Sequence, residues 1–299
     1  MKKLFFLLLA ITVACSTGDD STTPDNNDPQ NNNDPDNNAE TCDVVYLDGN
    51  GVTIKACPDA NIGDSGEVNG ITYTIVNDDA LRNMIDAGED VTKVCTSRVV
   101  FMDNLFRDNS EFNQDIGSWD ISAITSTENM FRGATSFNQD INNWDVSNVL
   151  TMENMFYEAS SFNQPLNNWQ TRYVSNMMGM FGEASSFNQD ISNWDVSRVK
   201  FFNYMFLFAN SFNQDVGSWD VSRAVWMEYM FGGAIAFNQD ISLWDVNSVT
   251  NMYAMFAEAE SFNQDLSTWN VDNVSACNLF DLNTPQWTLP KPNFTNCTP

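Results

Sequence analysis

Two columns of aspartates carry most of the reactive side chains in this sequence. One follows a recurring tryptophan, at Asp120, Asp145, Asp195, Asp220 and Asp245, with Gln170 and Asn270 filling its gaps. The other, Asp115, Asp140, Asp190, Asp215, Asp240 and Asp265, is interrupted by Pro165. Paired carboxylates can act as acid and base on a glycosidic bond, or as oxygen ligands for calcium. An active site breaks a repeat, however, and these residues constitute one. The chain has no histidine, which removes serine–histidine and cysteine–histidine catalysis and imidazole zinc sites. It is therefore read as no enzyme. A calcium loop of D-x-D-x-D-G type is also missing, so aspartates that are solvated or cap their own turns are favoured over a calcium site, and no cofactor is expected.

The elements that hold these columns repeat without a slip. Phe-Asn-Gln recurs from Phe112 to Phe262 every 25 residues, in seven copies, and a tryptophan follows each phenylalanine by seven residues, from Trp119 to Trp269. Within one copy, Ile141, Trp144, Val146 and Val149 carry strand-forming side chains in partial alternation. Met152, Met155, Phe156, Ala159 and Phe162 then sit at the spacing of one helix face. The expectation is an α/β solenoid of seven 25-residue repeats, each a strand, a turn and a short helix, in the size range of leucine-rich repeats. No copy could bury its apolar side alone, so neighbours must cover it.

On this plan the tryptophans point inward and are core, as are the methionines. Asn113, Asn138, Asn163, Asn188, Asn213, Asn238 and Asn263 form an unbroken column, expected to be a ladder bonding the backbone of adjacent copies. The aspartates after tryptophan point outward, about 4.8 Å from the next copy's. Adjacent carboxylates at that distance repel by roughly 1 kcal/mol in water, so donors must compensate. The candidate binding face is this strip: Asp120, Asp145, Asp195, Asp220 and Asp245, with Gln170, Arg172 and Tyr173 of the third copy interrupting it. Leu243, Tyr173 and Trp226 are the side chains that would favour a sugar-stacking role if exposed there.

The ends read differently. Residues 1–15 form a short basic start and an apolar run too short to span a bilayer, closing on Thr12-Val13-Ala14-Cys15. This is similar to a bacterial lipobox, with Thr12 in place of the usual aliphatic residue, and makes Cys15 the expected lipidation site. Residues 16–40 hold no large apolar side chain and read as a disordered tether. A β-rich cap is expected over 41–92, the repeats over 93–281 and a C-terminal cap over 282–299. Beyond Cys15, five cysteines remain. Cys42 with Cys57 would clasp a hairpin, Cys57 with Cys95 being the alternative, and Cys277 with Cys297 would pin the tail over the last copy. Cys95 would then be a buried small hydrophobe.

The motif M-F-x-x-A-x-S-F-N-Q-D-I-x-x-W-D-V-S-x-V resembles the repeat of BspA-type leucine-rich-repeat surface proteins of Bacteroidetes, mycoplasmas and listeriae, over about Val94 to Phe280. Residues 65–95 are similar to the lead-in of flavobacterial members. The resemblance implies a cell-surface location and a solenoid. The net charge of −27 speaks against nucleic acid and against an anionic lipid surface, leaving the lipid anchor as the membrane contact. The expected function is an outer-membrane, exterior-facing lipoprotein that binds an extracellular protein or cell-surface ligand. The alternatives are glycan capture, and a passive coat without a specific ligand.

Overall fold

A computed structural model describes residues 42–299. The expected signal segment, the expected lipidation site Cys15 and the expected tether lie outside the described residues.

The described chain opens with a hairpin, β1 (Val45–Leu47) antiparallel to β2 (Ile54–Ala56), and Cys42 and Cys57 are disulfide-bonded across its ends. Next come β3 (Ser65–Val68) and β4 (Ile71–Asn77), antiparallel to each other. The helix α1 (Asp78–Asp86) follows, and β5 (Val94–Arg98) returns parallel to β4, giving the order β3-β4-β5. Asn77 caps α1, its side chain accepting from the Ala80 amide at 3.0 Å, and Asp78 and Asp79 face the positive end of the helix dipole. Val45, Ile54, Tyr73, Ile75 and Cys95 form a small core under this cap. Cys95 is free and buried, and burial pushes its thiol pKa up. The sheet runs to Arg98, past the expected boundary at residue 92, because β5 completes it before the repeats begin.

From there the chain is a repeat structure of turns, loops and isolated parallel bridges. Ser126, Thr151, Asn176, Phe201, Trp226 and Asn251 each bridge the residue 25 positions on, the last reaching Ala276, so successive copies lie against one another in register. Two expectations fail here. Ile141–Val149 is not a strand: Trp144 N–H donates to the Ile141 carbonyl and Val149 N–H to Val146, two tight turns in succession. Met152–Ala159 is not a helix, and α1 stands alone as an α-helix among the described residues, so the α/β class gives way to a mostly β and loop structure.

The reason is visible in the backbone. Met155, Tyr157 and Ala159 donate three residues back, to Met152, Asn154 and Phe156. Asn154, Phe156 and Glu158 instead donate to Met178, Met180 and Gly182 of the next copy. Asn154 and Glu158 have φ of 51° and 60°, the left-handed value that the third residue of a type II turn requires and that a helix cannot contain. Overlapping turns thus place Met152, Met155, Phe156 and Ala159 on one side just as a helix would, and all four are fully buried.

The rest of the copy-to-copy bonding is equally regular. Trp144 Nε1 donates to the Ile116 carbonyl at 3.1 Å, and the tryptophans at 169, 194, 219, 244 and 269 do the same one copy on. The Asn138 amide donates to Asn113 Oδ1 at 2.9 Å, and this ladder continues through Asn163, Asn188, Asn213, Asn238 and Asn263 to Thr288. Phe131, Phe156, Phe181, Phe206, Phe231 and Phe256 stack in one column. Each buried large apolar side chain contributes about 1.5–3 kcal/mol, and each ladder bond about 1 kcal/mol net. At the end, Cys277 and Cys297 are disulfide-bonded, and Trp287 is buried with its indole donating to the Gln264 carbonyl.

Candidate functional site

The aspartate strip is occupied with itself. Asp145 Oδ1 accepts from the Ser147 amide, Asp195 from Ser197, Asp220 from Ser222 and Asp245 from Asn247, all at 3.0–3.1 Å. The second column does likewise: Asp140, Asp190, Asp215, Asp240 and Asp265 each accept from the amide two residues on. These are aspartate-capped turns. Hydrogen bonds from Ser192, Ser222 and Ser242 hold Asp190, Asp220 and Asp240 below the ordinary carboxylate range. Asp145, Asp195, Asp220 and Asp245 are exposed. Asp120 leaves the proposed face: it is buried under β5, where Ser97 Oγ donates to its Oδ2 at 2.5 Å. Among the described residues no three acidic or cysteine side chains converge as a metal would need.

Gln170, Arg172 and Tyr173 are exposed, and the guanidinium groups of Arg172 and Arg198 lie 4.9 and 5.0 Å from the centre of the Tyr173 ring. Leu243 is 90% exposed and Trp226 46%.

A groove that the sequence reading passed over lies along the turn run of the later copies. Tyr204, Leu207, Phe208, Tyr229, Leu279 and Leu282 line about 320 Å³ of mostly apolar space. It adjoins a wider, more polar hollow of about 700 Å³ bordered by Glu258, Glu260, Asp281 and Lys291, with Lys291 and Asp281 ion-paired. Two columns build it. The first left-handed position of each copy is Asn104, Asn129, Asn154 and Gly179, and then Tyr204, Tyr229, Ala254 and Leu279. The second is Asp108, Gly133, Glu158 and Glu183, and then Phe208, Gly233, Glu258 and Asn283. Asparagine, aspartate and glycine tolerate this conformation; a tyrosine or phenylalanine held there is strained. Tyr204, Phe208 and Tyr229 have φ of 62°, 51° and 51°.

Glycines make the room. The Phe208 ring covers Gly233 so closely that a β-carbon there would collide with it, and one on Gly232 would meet Tyr229 at 2.9 Å. Tyr204 and Tyr229 stack at 5.7 Å, and Tyr253 meets Tyr229 edge-on at 5.4 Å. Tyr204 Oη donates to Glu228 Oε1 at 2.7 Å. Burial first, and then that bond, push the Tyr204 phenol up, so it stays a neutral donor. The result is an aromatic, partly open surface with an acidic border. The available signal in the sequence was Tyr204, Phe208 and Tyr229 replacing the asparagine and acidic residues of the copies before them.

The fold and this surface define the chain as a disulfide-bearing repeat protein. It belongs to the family described as Mycoplasma protein of unknown function, DUF285, whose model matches residues 78–192, 143–236 and 180–285. No curated protein and no solved structure matches the chain.

Proposed function

We propose that this is a non-enzymatic, lipid-anchored surface protein of BspA type, a solenoid of seven 25-residue repeats whose later copies bind an extracellular protein. The lipobox-like Thr12–Cys15 and the polar segment 16–40 support anchoring at Cys15 and exposure to the exterior of an outer membrane. The observation that carries the binding reading is the trio Tyr204, Phe208 and Tyr229. Strained aromatic side chains occupy positions that asparagine, aspartate or glycine fills at lower cost in earlier copies, which points to selection for a surface rather than for stability. Partly exposed aromatics inside a polar, charged border have the composition of interface centres. The test is retention of extracellular proteins by the immobilised full chain, against the variant Tyr204→Asn/Phe208→Asn/Tyr229→Asn. Selective retention that disappears in the variant is the expected result. Equal retention by both proteins would sink the reading.

A further inference from the structure

Most cations of the described chain are engaged. Arg82 and Arg98 donate to backbone carbonyls, Lys55, Lys93, Arg107 and Lys291 make ion pairs, and Arg132 lies over Tyr157. Four others, Arg172, Arg198, Lys200 and Arg223, are all exposed and among the described residues form no ion pair, although Arg172 and Arg198 lie over Tyr173 as Arg132 does over Tyr157. They fall in three consecutive copies. Arg198 and Arg223 share one column with Tyr173, and Lys200 stands two residues beyond Arg198. Asp195 and Asp220, the neighbouring acids, bond their own turns through Ser197 and Ser222, and Arg223 adds to those bonds in holding the Asp220 carboxyl low.

Rings accompany these charges. The guanidinium groups of Arg172 and Arg198 both lie over the Tyr173 ring, at 4.9 and 5.0 Å from its centroid, within cation–π range. Phe201 and the exposed Trp226 follow Lys200 and Val225, 5.1 Å apart. None of these residues lines the groove of the later copies. Four exposed cations thus fall in three successive copies of a chain of net charge −27, and Tyr173 and Trp226 are exposed in the same copies.

We propose that this patch binds an acidic polysaccharide, its carboxylate or sulfate groups on Arg172, Arg198, Lys200 and Arg223 and a sugar ring on Trp226. Arg198 and Arg223 hold the same position in adjacent copies, so their charges recur once per copy, which suits a polymer with at most one or two charges per sugar. Duplex DNA carries a charge every 1.7 Å or so, and the acidic remainder of the protein would repel it. At physiological salt the screening length is about 8 Å, so the aspartates of distant copies leave the patch attractive at short range. The proposal stands apart from the groove.

The experiment titrates the full chain with dextran sulfate, polygalacturonate, neutral dextran and oligodeoxythymidylate, at two salt concentrations. Expected is binding to one or both acidic polysaccharides, weakened by salt and absent with neutral dextran; the arm that binds tells sulfate from carboxylate. Arg172→Gln/Arg198→Gln/Arg223→Gln should lose tenfold or more in affinity with an unchanged unfolding midpoint. Trp226→Asn, the residue its column has at Asn176 and Asn251, should lose a smaller factor. The groove variant Tyr204→Asn/Phe208→Asn/Tyr229→Asn should bind like the parent, which separates this proposal from the protein-binding reading. No binding to either acidic polysaccharide, equal binding of neutral dextran, tighter binding of the oligonucleotide, or an unaffected triple-glutamine variant would each overturn it.

Discussion

The copies before about residue 190 and those after it share one backbone and differ in what they place on it. Both require left-handed residues at two points per copy, and both stack the same phenylalanines and tryptophans inside. In the earlier copies asparagine, aspartate, glutamate and glycine meet that requirement, and Tyr157 packs over Gly182 as an isolated ring. In the later copies Tyr204, Phe208 and Tyr229 meet it, and their rings assemble into a groove. The comparison teaches that the interior sets the repeat, while the turn columns vary from copy to copy.

If the interior is common to both regions, matching core deletions must hurt alike. Phe181→Ala and Phe231→Ala each remove a fully buried ring from the same column, and each should cost about 3–5 kcal/mol. Denaturant unfolding of the two variants checks this, and a gap of several kcal/mol between them would break the idea of a shared core. A smaller effect sharpens the difference between the regions. Asn154→Tyr places an aromatic residue at a left-handed position in the earlier copies, and should destabilise by about 1–2 kcal/mol. No loss at that site would mean the backbone does not discriminate, and the later tyrosines would then carry no functional signal.

The smallest expected effect is common to both regions and comes from the capped aspartates. Asp190 and Asp240 have lowered folded-state pKa values through Ser192 and Ser242. A lowered value adds stability above the ordinary aspartate pKa of about 3.9, and that contribution is lost as pH falls through the folded value. Both groups are largely exposed, so each contribution is small. Asp190→Asn keeps an oxygen acceptor and removes the charge, so its unfolding midpoint should fall slightly less between neutral and acidic pH than the parent's. An identical or steeper fall would contradict the assignment.

The period and the interior were legible in the sequence. Ile141, Trp144, Val146, Val149, Met152, Met155, Phe156, Ala159 and Phe162 are all buried. Their conformation was not legible, because overlapping turns and a helix space apolar side chains alike, and tight turns at Ile141–Val149 mimic a strand's alternation. Asn154 above Gly179, in a column also holding Asn104 and Asn129, was the available clue to a left-handed residue. The aspartates drew attention because they recur, yet recurrence in their case reflects a turn that every copy needs. The groove was passed over because it is made from the columns that change. Asp120 was misplaced because the cap covers the first copy, which no pattern within the repeat discloses.

The most direct test is the unfolding midpoint of Tyr204→Asn/Phe208→Asn/Tyr229→Asn beside the parent chain. The rings give up some contact, but the backbone relaxes by about 1 kcal/mol at each strained position. A midpoint equal to or above the parent's is therefore predicted, as expected of residues kept for a surface. A loss of 2 kcal/mol or more, about the scale of a buried apolar side chain, would show that the rings are structural and contradict the account.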